Sequence, residues 1–241
     1  MKNKLDRLYD FLINHRQYNK ELQEKYYKSV LSWHENTASK VCSMLYRVAN
    51  TQSQPKIDEL SKFYRFLHED MDALGSFNSF VYRISNNSSS TYQNLFEGLR
   101  TKNGWGPKTS ALFVKSILHI HNNKYDPKLN IWPDAPSSIA DNDRIFLPVD
   151  TVIIEIFKRL DNQNWSFSSI NTLLHSYYSG DQIEVWDDLW FWGFITQKIE
   201  NNARIVEWNP NKYWSLEYSN KSHESIKQVE QLSKVFLNHL N

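Results

Sequence analysis

Lys108 and Asp150 are the two residues whose types and positions could do covalent chemistry. Lys108 stands in the first turn of an apolar segment, where loss of hydration and the positive end of a helix dipole both favour the neutral amine. A neutral lysine amine is a nucleophile. Asp150 opens the next amphipathic segment, where backbone amides keep a carboxylate ionised. The pair predicts a lysine nucleophile assisted by a carboxylate, and Asp150 taken alone also fits a plain helix N-cap.

A glycine-rich turn precedes the lysine. Gly104 and Gly106 flank Trp105, and Pro107 is suited to the first position of the following helix. With apolar helical patterns on both sides, the segment at about 92–120 predicts two helices joined by a hairpin whose free amides can bind a phosphate. Trp105 is expected to point inward between the helices. An ordinary helix turn with solvated lysines is the alternative interpretation.

Charge and cysteine content exclude several kinds of site. The net charge is only +1, so any surface for nucleic acid must be local, and residues 95–130 indeed hold six basic side chains against two acidic ones. Lys102 is among the six. Cys42 is the only cysteine, which excludes a disulfide framework, a cysteine-based zinc site and a four-cysteine iron–sulfur cluster. The histidines show no ligand spacing with carboxylates, so we expect no metal site.

The elements predicted around this turn are mostly helical. Glycine and proline are scarce, apolar residues recur at spacings of three and four, and the chain is long and apolar enough for a sizeable core. We therefore predict a mainly α fold, with one connecting excursion at 121–147 and one short strand at 204–208. The helices are expected at about 5–12, 38–48, 56–71, 108–120, 152–160, 168–178, 184–200 and 222–240.

Two motifs taken together resemble those of a known family. The segments Gly104-Trp-Gly-Pro-Lys-Thr-Ser-Ala111 and Leu147-Pro-Val-Asp-Thr151 resemble the hairpin and catalytic loop of the helix-hairpin-helix DNA glycosylase superfamily. The resemblance implies that Lys108 is the catalytic lysine, that Asp150 is the catalytic aspartate of a loop at about 146–152, and that Gly104, Gly106 and Lys102 contact DNA. It also implies a two-lobed helical fold spanning residues 1–241. The separation of the pair, 42 residues, is longer than in common members.

Within that superfamily the chain looks most like the archaeal-type 8-oxoguanine DNA glycosylases, on the segment Lys108-Thr-Ser-Ala-Leu-Phe-Val-Lys115. That resemblance implies a base pocket containing Lys115, Asp188 and Trp192. Spacing of seven puts Lys108 and Lys115 on one helix face, and spacing of four does the same for Asp188 and Trp192.

The resemblance implies a bifunctional glycosylase and AP lyase that removes a damaged base, 8-oxoguanine, through a lysine Schiff base during base excision repair. The expected partner is double-stranded DNA that contains a damaged base. We expect a monomer with no membrane partner, located in the cytoplasm with the nucleoid. No cofactor is required, and a monovalent cation at the hairpin carbonyls fits the family.

Three alternatives stay open on the sequence. The chain could be a non-catalytic DNA-binding module in which Lys108 only contacts phosphate. It could be a glycosylase for another modified base. It could also be a helical protein-interaction domain in which the motifs occur by chance.

Overall fold

A computed structural model describes residues 1–122, 124–201, 203–216 and 221–241, and it shows a mainly helical protein. The mainly α fold predicted from the sequence is therefore confirmed. In chain order the elements are α1 (Lys2–Asn14), α2 (Arg16–Leu31), α3 (Thr37–Ala49), α4 (Ile57–His68), α5 (Phe77–Ser85), α6 (Tyr92–Arg100), α7 (Pro107–His121), α8 (Thr151–Leu160), α9 (Phe167–His175), α10 (Asp181–Val185), α11 (Asp188–Ile195), β1 (Gln197–Glu200), β2 (Ala203–Val206), α12 (Pro210–Ser215) and α13 (His223–His239).

The chain divides into two compact units, and each is built from separate stretches of sequence. The first unit comprises Met1–Lys25, Val149–Tyr178 and Val185–Asn241. The second comprises Tyr26–Pro148 and Ser179–Glu184. Of the predicted residues, Asp150, Asp188 and Trp192 therefore belong to the first unit, while the glycine-rich turn, Lys108 and Lys115 belong to the second.

Aromatic rings form the centre of the first unit. Helix α1 lies against α13 and brings Phe11 to Trp192 and Phe236, with ring centroids 4.9 and 5.7 Å apart. Helix α8 lies against α11 at Gly193. A Cβ at that glycine would stand 2.7 Å from Cγ1 of Val152, closer than real Cβ contacts allow. The glycine therefore sets how closely α11 approaches the helix that Asp150 begins.

The prediction of one helix over 184–200 is wrong. The chain leaves α10 at Val185, forms α11, and then turns into strand β1, which pairs antiparallel with β2. At the end of α11 the Thr196 hydroxyl donates to the Trp192 carbonyl over 2.7 Å, and the Gln197 amide donates to the Val152 carbonyl over 3.0 Å. Because the Gln197 bond to α8 and the pairing of β1 with β2 hold the chain extended, the helical spacing of the apolar residues is overridden. The strand expected at 204–208 is β2, at 203–206.

The second unit is arranged around α7, which is buried along almost its whole length. Helix α6 packs on α5 and on α7, and α3 also packs on α7. Gly98 allows the contact between α5 and α6, since a Cβ there would lie 3.0 Å from the Ser85 backbone nitrogen. The prediction of an apolar helix at 108–120 is confirmed.

The excursion between α7 and α8 carries carboxylates that cap other helices. Asp134 accepts hydrogen bonds from the backbone amides of the first two residues of α5, Phe77 and Asn78, at 2.9 and 3.0 Å. The buried Asp143 accepts hydrogen bonds from the backbone amides of the first two residues of α6, Tyr92 and Gln93, both at 2.8 Å. The N-terminal amides of both helices lack helical partners, and these carboxylates supply the missing acceptors. Their negative charge also interacts favourably with the positive end of each helix dipole.

Candidate functional site

The turn between α6 and α7 has the geometry that the glycine pattern predicts. Gly104 has φ +79°, in the left-handed region that favours glycine, and the Trp105 amide donates to the Lys102 carbonyl over 3.1 Å. Gly106 is the N-cap of α7, and among the described residues no side chain caps the helix. A Cβ at Gly106 would meet no atom of these residues within 4 Å, so they leave the space in front of it open.

Trp105 anchors this turn to the second unit. Its ring is buried and lies 5.3 Å from that of Phe63 and 6.0 Å from that of Phe113, centroid to centroid. Phe63 belongs to α4 and Phe113 to α7, so the tryptophan joins the turn to two helices. Trp105 points inward as predicted, but the ring contacts link α7 to α4, and the predicted link between α6 and α7 stays a prediction.

Lys108 lies in the first turn of α7 and is half-buried. Within the described part of the chain, its ammonium has no carboxylate at ion-pair distance. The first helical bond near it runs from the Ser110 amide to the Gly106 carbonyl, at 2.9 Å. The amides of Lys108 and Thr109 precede that bond and Pro107 has none, so two N–H groups and one ammonium stand together at this helix end.

The hairpin carbonyls are already used in part by the protein. The Lys102 carbonyl accepts from the Trp105 amide, and the Gly104 carbonyl accepts from the side chain of Gln52 over 3.1 Å. Each carbonyl oxygen keeps a second lone pair. A monovalent cation at this turn therefore has oxygen ligands available. The reaction proposed at Lys108 does not require such a cation.

Lys115 lies two turns after Lys108 on the same helix and is buried. Its charge acts on Tyr26 of the same unit. Burial raises the pKa of the Tyr26 phenol, and the cations Lys115 and Arg47 oppose that rise. The face of α7 on which the spacing of seven places Lys108 and Lys115 thus carries one half-buried and one buried amine.

In the first unit, Asp150 is the N-cap of α8. One oxygen, Oδ1, accepts from the amides of Val152 and Ile153 at 2.9 and 3.0 Å. The other, Oδ2, accepts no hydrogen bond from the residues that the structure describes. The prediction of an N-cap is confirmed, and the cap uses only one of the two oxygens.

Two basic residues near Asp150 could not be found from the sequence. Arg204 on β2 donates to the Thr151 hydroxyl over 3.1 Å and to Gln197 over 3.0 Å. Burial and the Arg204 charge lower the pKa of Lys212, while Asp150 acts in the opposite direction. Arg204 and Lys212 thus supply positive charge around the carboxylate, and they are far from it in sequence, so no spacing could reveal them.

Asp188 and its neighbour Asp187 form a buried acidic pair at the start of α11. Asp188 accepts hydrogen bonds from the Arg16 guanidinium over 2.8 Å and from the Asn19 side-chain amide over 2.7 Å. The Gln23 side-chain amide donates to Asp187. The three donors lie on one face of α2. The sequence pattern does not reveal α2, because its many polar residues obscure a helical apolar stripe.

Trp192 is fully buried within the first unit. Beyond the rings of Phe11 and Phe236 it contacts Tyr18 and Phe191 edge to face, with centroids 5.5 and 5.0 Å apart. Stacking of Trp192 on an extruded base, which the resemblance implies, would require these rings to move apart. That role stays a prediction.

Two buried histidines of the second unit, His119 and His121, contact other groups of that unit. His119 contacts Tyr27 at 3.1 Å and Glu184 at 2.8 Å, and Nε2 of His121 accepts from the amides of Ile131 and Trp132. Among residues 1–122, 124–201, 203–216 and 221–241, no group of three or more histidine, cysteine or acidic residues could hold a metal ion.

Comparisons with models of protein families, with curated proteins and with solved structures found no match to this chain. In the described part of the chain, no helix is both long and apolar enough to cross a membrane.

Proposed function

We propose that this protein is a DNA N-glycosylase with AP lyase activity, in which Lys108 is the nucleophile and Asp150 the assisting carboxylate. The observation that carries the proposal is the end of α7. There an amine without a carboxylate partner among the described residues lies beside the open amides of a glycine hairpin. A phosphate held by those amides would keep a DNA strand next to the amine. The helix-hairpin-helix glycosylases use this combination, and the residues of the turn resemble theirs.

The proposed chemistry begins on an extruded nucleotide, since a base inside a duplex shields C1′ from a side chain. Once the Lys108 ammonium has lost a proton, its amine forms a bond to C1′ as the glycosidic bond breaks, and the base leaves with the electron pair and gains a proton. The nitrogen then loses a second proton, the C1′–O4′ bond breaks with its electron pair and a proton going to O4′, and C1′ becomes the carbon of a Schiff base. Removal of a C2′ proton then expels the 3′ phosphate, and water hydrolyses the Schiff base to regenerate the amine.

Asp150 is suited to the electrostatic part of this reaction. The α8 amides orient its carboxylate through Oδ1 and leave Oδ2 for the positive charge that develops at C1′. Arg204 and Lys212 place positive charge in the surroundings of this carboxylate. The same carboxylate can accept the protons that the reaction releases.

We propose 8-oxoguanine as the damaged base, read by Lys115, Asp188 and Trp192. This lesion differs from guanine by a hydrogen on N7 and an added carbonyl oxygen. A buried acceptor facing N7 would be satisfied by the lesion and left unpaired by guanine, at a cost of about 1–3 kcal/mol. Asp188 is a buried carboxylate that accepts hydrogen bonds from Arg16 and Asn19 within its unit, so it has the acceptor chemistry that the N7 hydrogen of the lesion requires.

Borohydride trapping tests the proposed function. Purified protein is incubated with duplex containing one 8-oxoguanine, or with duplex containing one abasic site, and the mixture is reduced. Hydride adds to the Schiff-base carbon and leaves a stable amine link between protein and DNA. We expect the wild type and the control Lys128→Gln, an exposed lysine of the same unit, to form this complex, and Lys108→Gln to form none. Normal trapping by Lys108→Gln would disprove the assignment.

A non-catalytic DNA-binding module is the second candidate, because the half-buried Lys108 ammonium at an open helix end also fits a simple phosphate contact. Its signature is salt-dependent retention of duplex with no trapped complex on either substrate. Faster release of uracil or of an alkylated base than of 8-oxoguanine would replace the substrate and leave the Lys108 chemistry in place.

A further inference from the structure

Two basic side chains of the second unit meet on one aromatic ring beside the hairpin. The Lys102 ammonium lies 4.7 Å from the centroid of the Phe66 ring, and the Arg83 guanidinium carbon lies 4.0 Å from it. Arg83 also donates to the Phe66 carbonyl over 2.9 Å, which fixes its position. We call Lys102, Arg83 and Phe66 the cation platform. It joins the turn after α6 to the helices α4 and α5.

The charges of the cation platform are poorly balanced within the protein. Glu69 lies 3.5 Å from Arg83, but its side chain is 63% exposed, so solvent screens the pair. Lys102 has no ion-pair partner among the described residues. Burial lowers the pKa of Lys102, and the charge of Arg83 lowers it further. Two like charges held together in this way are stabilised by an anion, because the anion attracts both.

The position of the platform indicates which anion. The Lys102 carbonyl accepts the Trp105 amide within the hairpin, so the platform follows the phosphate-binding turn without a break in the chain. A DNA strand presents phosphates at regular intervals along its backbone. A strand that places one phosphate at the amides of α7 carries further phosphates next to it, and Lys102 precedes those amides by only a few residues.

We propose that Arg83 and Lys102, held on the Phe66 ring, bind a second backbone phosphate of the DNA strand whose first phosphate lies at the hairpin. The contact extends the DNA-binding surface from the hairpin onto α5. It carries no sequence information and serves to fix the register of the duplex. The inference rests on the proposed function only in taking the anion to be DNA, and it requires no chemistry at Lys108.

The test is equilibrium binding of a fluorescent, undamaged duplex over a range of salt concentrations. Arg83→Gln and Lys102→Gln are each expected to weaken binding several-fold at low salt. The double variant is expected to lose about one unit from the slope of log Kobs against log salt, as for one lost phosphate contact. Arg65→Gln is the matched control, since Arg65 is an exposed arginine next to Phe66 in sequence that makes no contact with its ring.

Phe66→Leu separates a DNA contact from a packing role. It keeps both cations and removes the ring that holds them, so we expect weaker binding with an unchanged circular dichroism spectrum. Arg83→Lys provides a charge-conserving variant if Arg83→Gln fails to fold. Binding by the double variant with the affinity and slope of the wild type would overturn the inference, as would equal losses from Arg65→Gln.

Trapping of the wild type keeps the two proposals apart. A wild type that binds duplex through the platform but is not trapped by borohydride rejects the glycosylase and supports the second phosphate site. A wild type that is trapped, with a double variant unchanged in affinity and slope, rejects the site and supports the glycosylase. Absence of any duplex binding by the wild type rejects both.

Discussion

Asp150 combines a structural and a proposed chemical role on two different oxygens. Oδ1 caps α8 through two backbone amides, and Oδ2 is free of hydrogen bonds from the described residues. Asparagine caps helices about as well as aspartate, but it carries no charge. A single substitution can therefore remove the proposed chemistry and keep the cap.

We predict that Asp150→Asn slows base excision by orders of magnitude with little change in the thermal unfolding midpoint, since a neutral amide cannot offset positive charge at C1′. Asp150→Ala should lose activity and, in addition, about 1 kcal/mol of stability with the cap. Single-turnover excision and thermal denaturation measure the two effects. A loss in rate of less than tenfold for Asp150→Asn would leave Asp150 with the capping role alone.

At the scale of residues, sequence reasoning identified groups that are local to a motif. Lys108, Trp105 and the Asp150 cap follow from neighbours in the chain. Arg204 and Lys212 near Asp150, and Arg16 and Asn19 at Asp188, are brought in by tertiary structure. Because these residues are far in sequence from the residues they surround, no periodic spacing predicts that they lie close to them.

The turn between α6 and α7 is the element on which the proposed function depends most. Its two glycines have different constraints. Gly104 requires a positive φ, and a Cβ there would also lie 2.9 Å from Cγ of Leu60. Gly106 is extended, with φ −114°, and faces open space. The first glycine thus shapes the hairpin, and the second leaves room for a ligand.

We predict that Gly104→Ala lowers the free energy of unfolding by at least about 1 kcal/mol, because alanine is strained at positive φ and its methyl group meets Leu60. Gly106→Ala is the matched control, with a change well under that value. Urea denaturation measures both. Equal stability of the two variants would show that the turn relaxes around a side chain.

At the scale of elements, strong periodicity was reliable and tertiary bonds were the source of error. Helix α7 and helix α13 lie where the apolar pattern predicted them. The prediction of a helix over 184–200 is wrong at its C-terminal end, where the Gln197 side chain bonds to α8 and β1 pairs with β2. The carboxylates Asp134 and Asp143 have no pattern of their own, and only the fold shows that they cap α5 and α6.

For the molecule as a whole, one buried histidine predicts a loss of stability in acid. Burial lowers the pKa of His121 from 6.5 to about 4, with Asp134 opposing and Lys40 adding to the effect. Its Nε2 accepts from the Ile131 and Trp132 amides at 3.2 and 3.4 Å, and a protonated ring could not accept there. The unfolded chain therefore binds this proton more readily than the folded one.

The direction in which the free energy of unfolding changes with pH follows from that difference. As the pH falls from about 6.5 to about 4, the unfolded state gains the proton first, and the free energy of unfolding decreases by at most about 3 kcal/mol. Below that window the contribution is fully lost. Urea denaturation across these pH values should show a smaller decrease for His121→Gln than for the wild type. His68→Gln, an exposed histidine, is the control and should behave as the wild type does.

The division of the sequence between the two units determines what a growing chain can fold while it is being synthesised. Most of the second unit is a single stretch, Tyr26–Pro148, and can pack soon after it leaves the ribosome. The first unit cannot. Phe11 of α1 packs against Phe236 of α13, so the apolar face of α1 stays uncovered until α13 has been synthesised. Nascent chains that end before α13 should therefore be open to proteases at α1 while residues 26–148 are already protected.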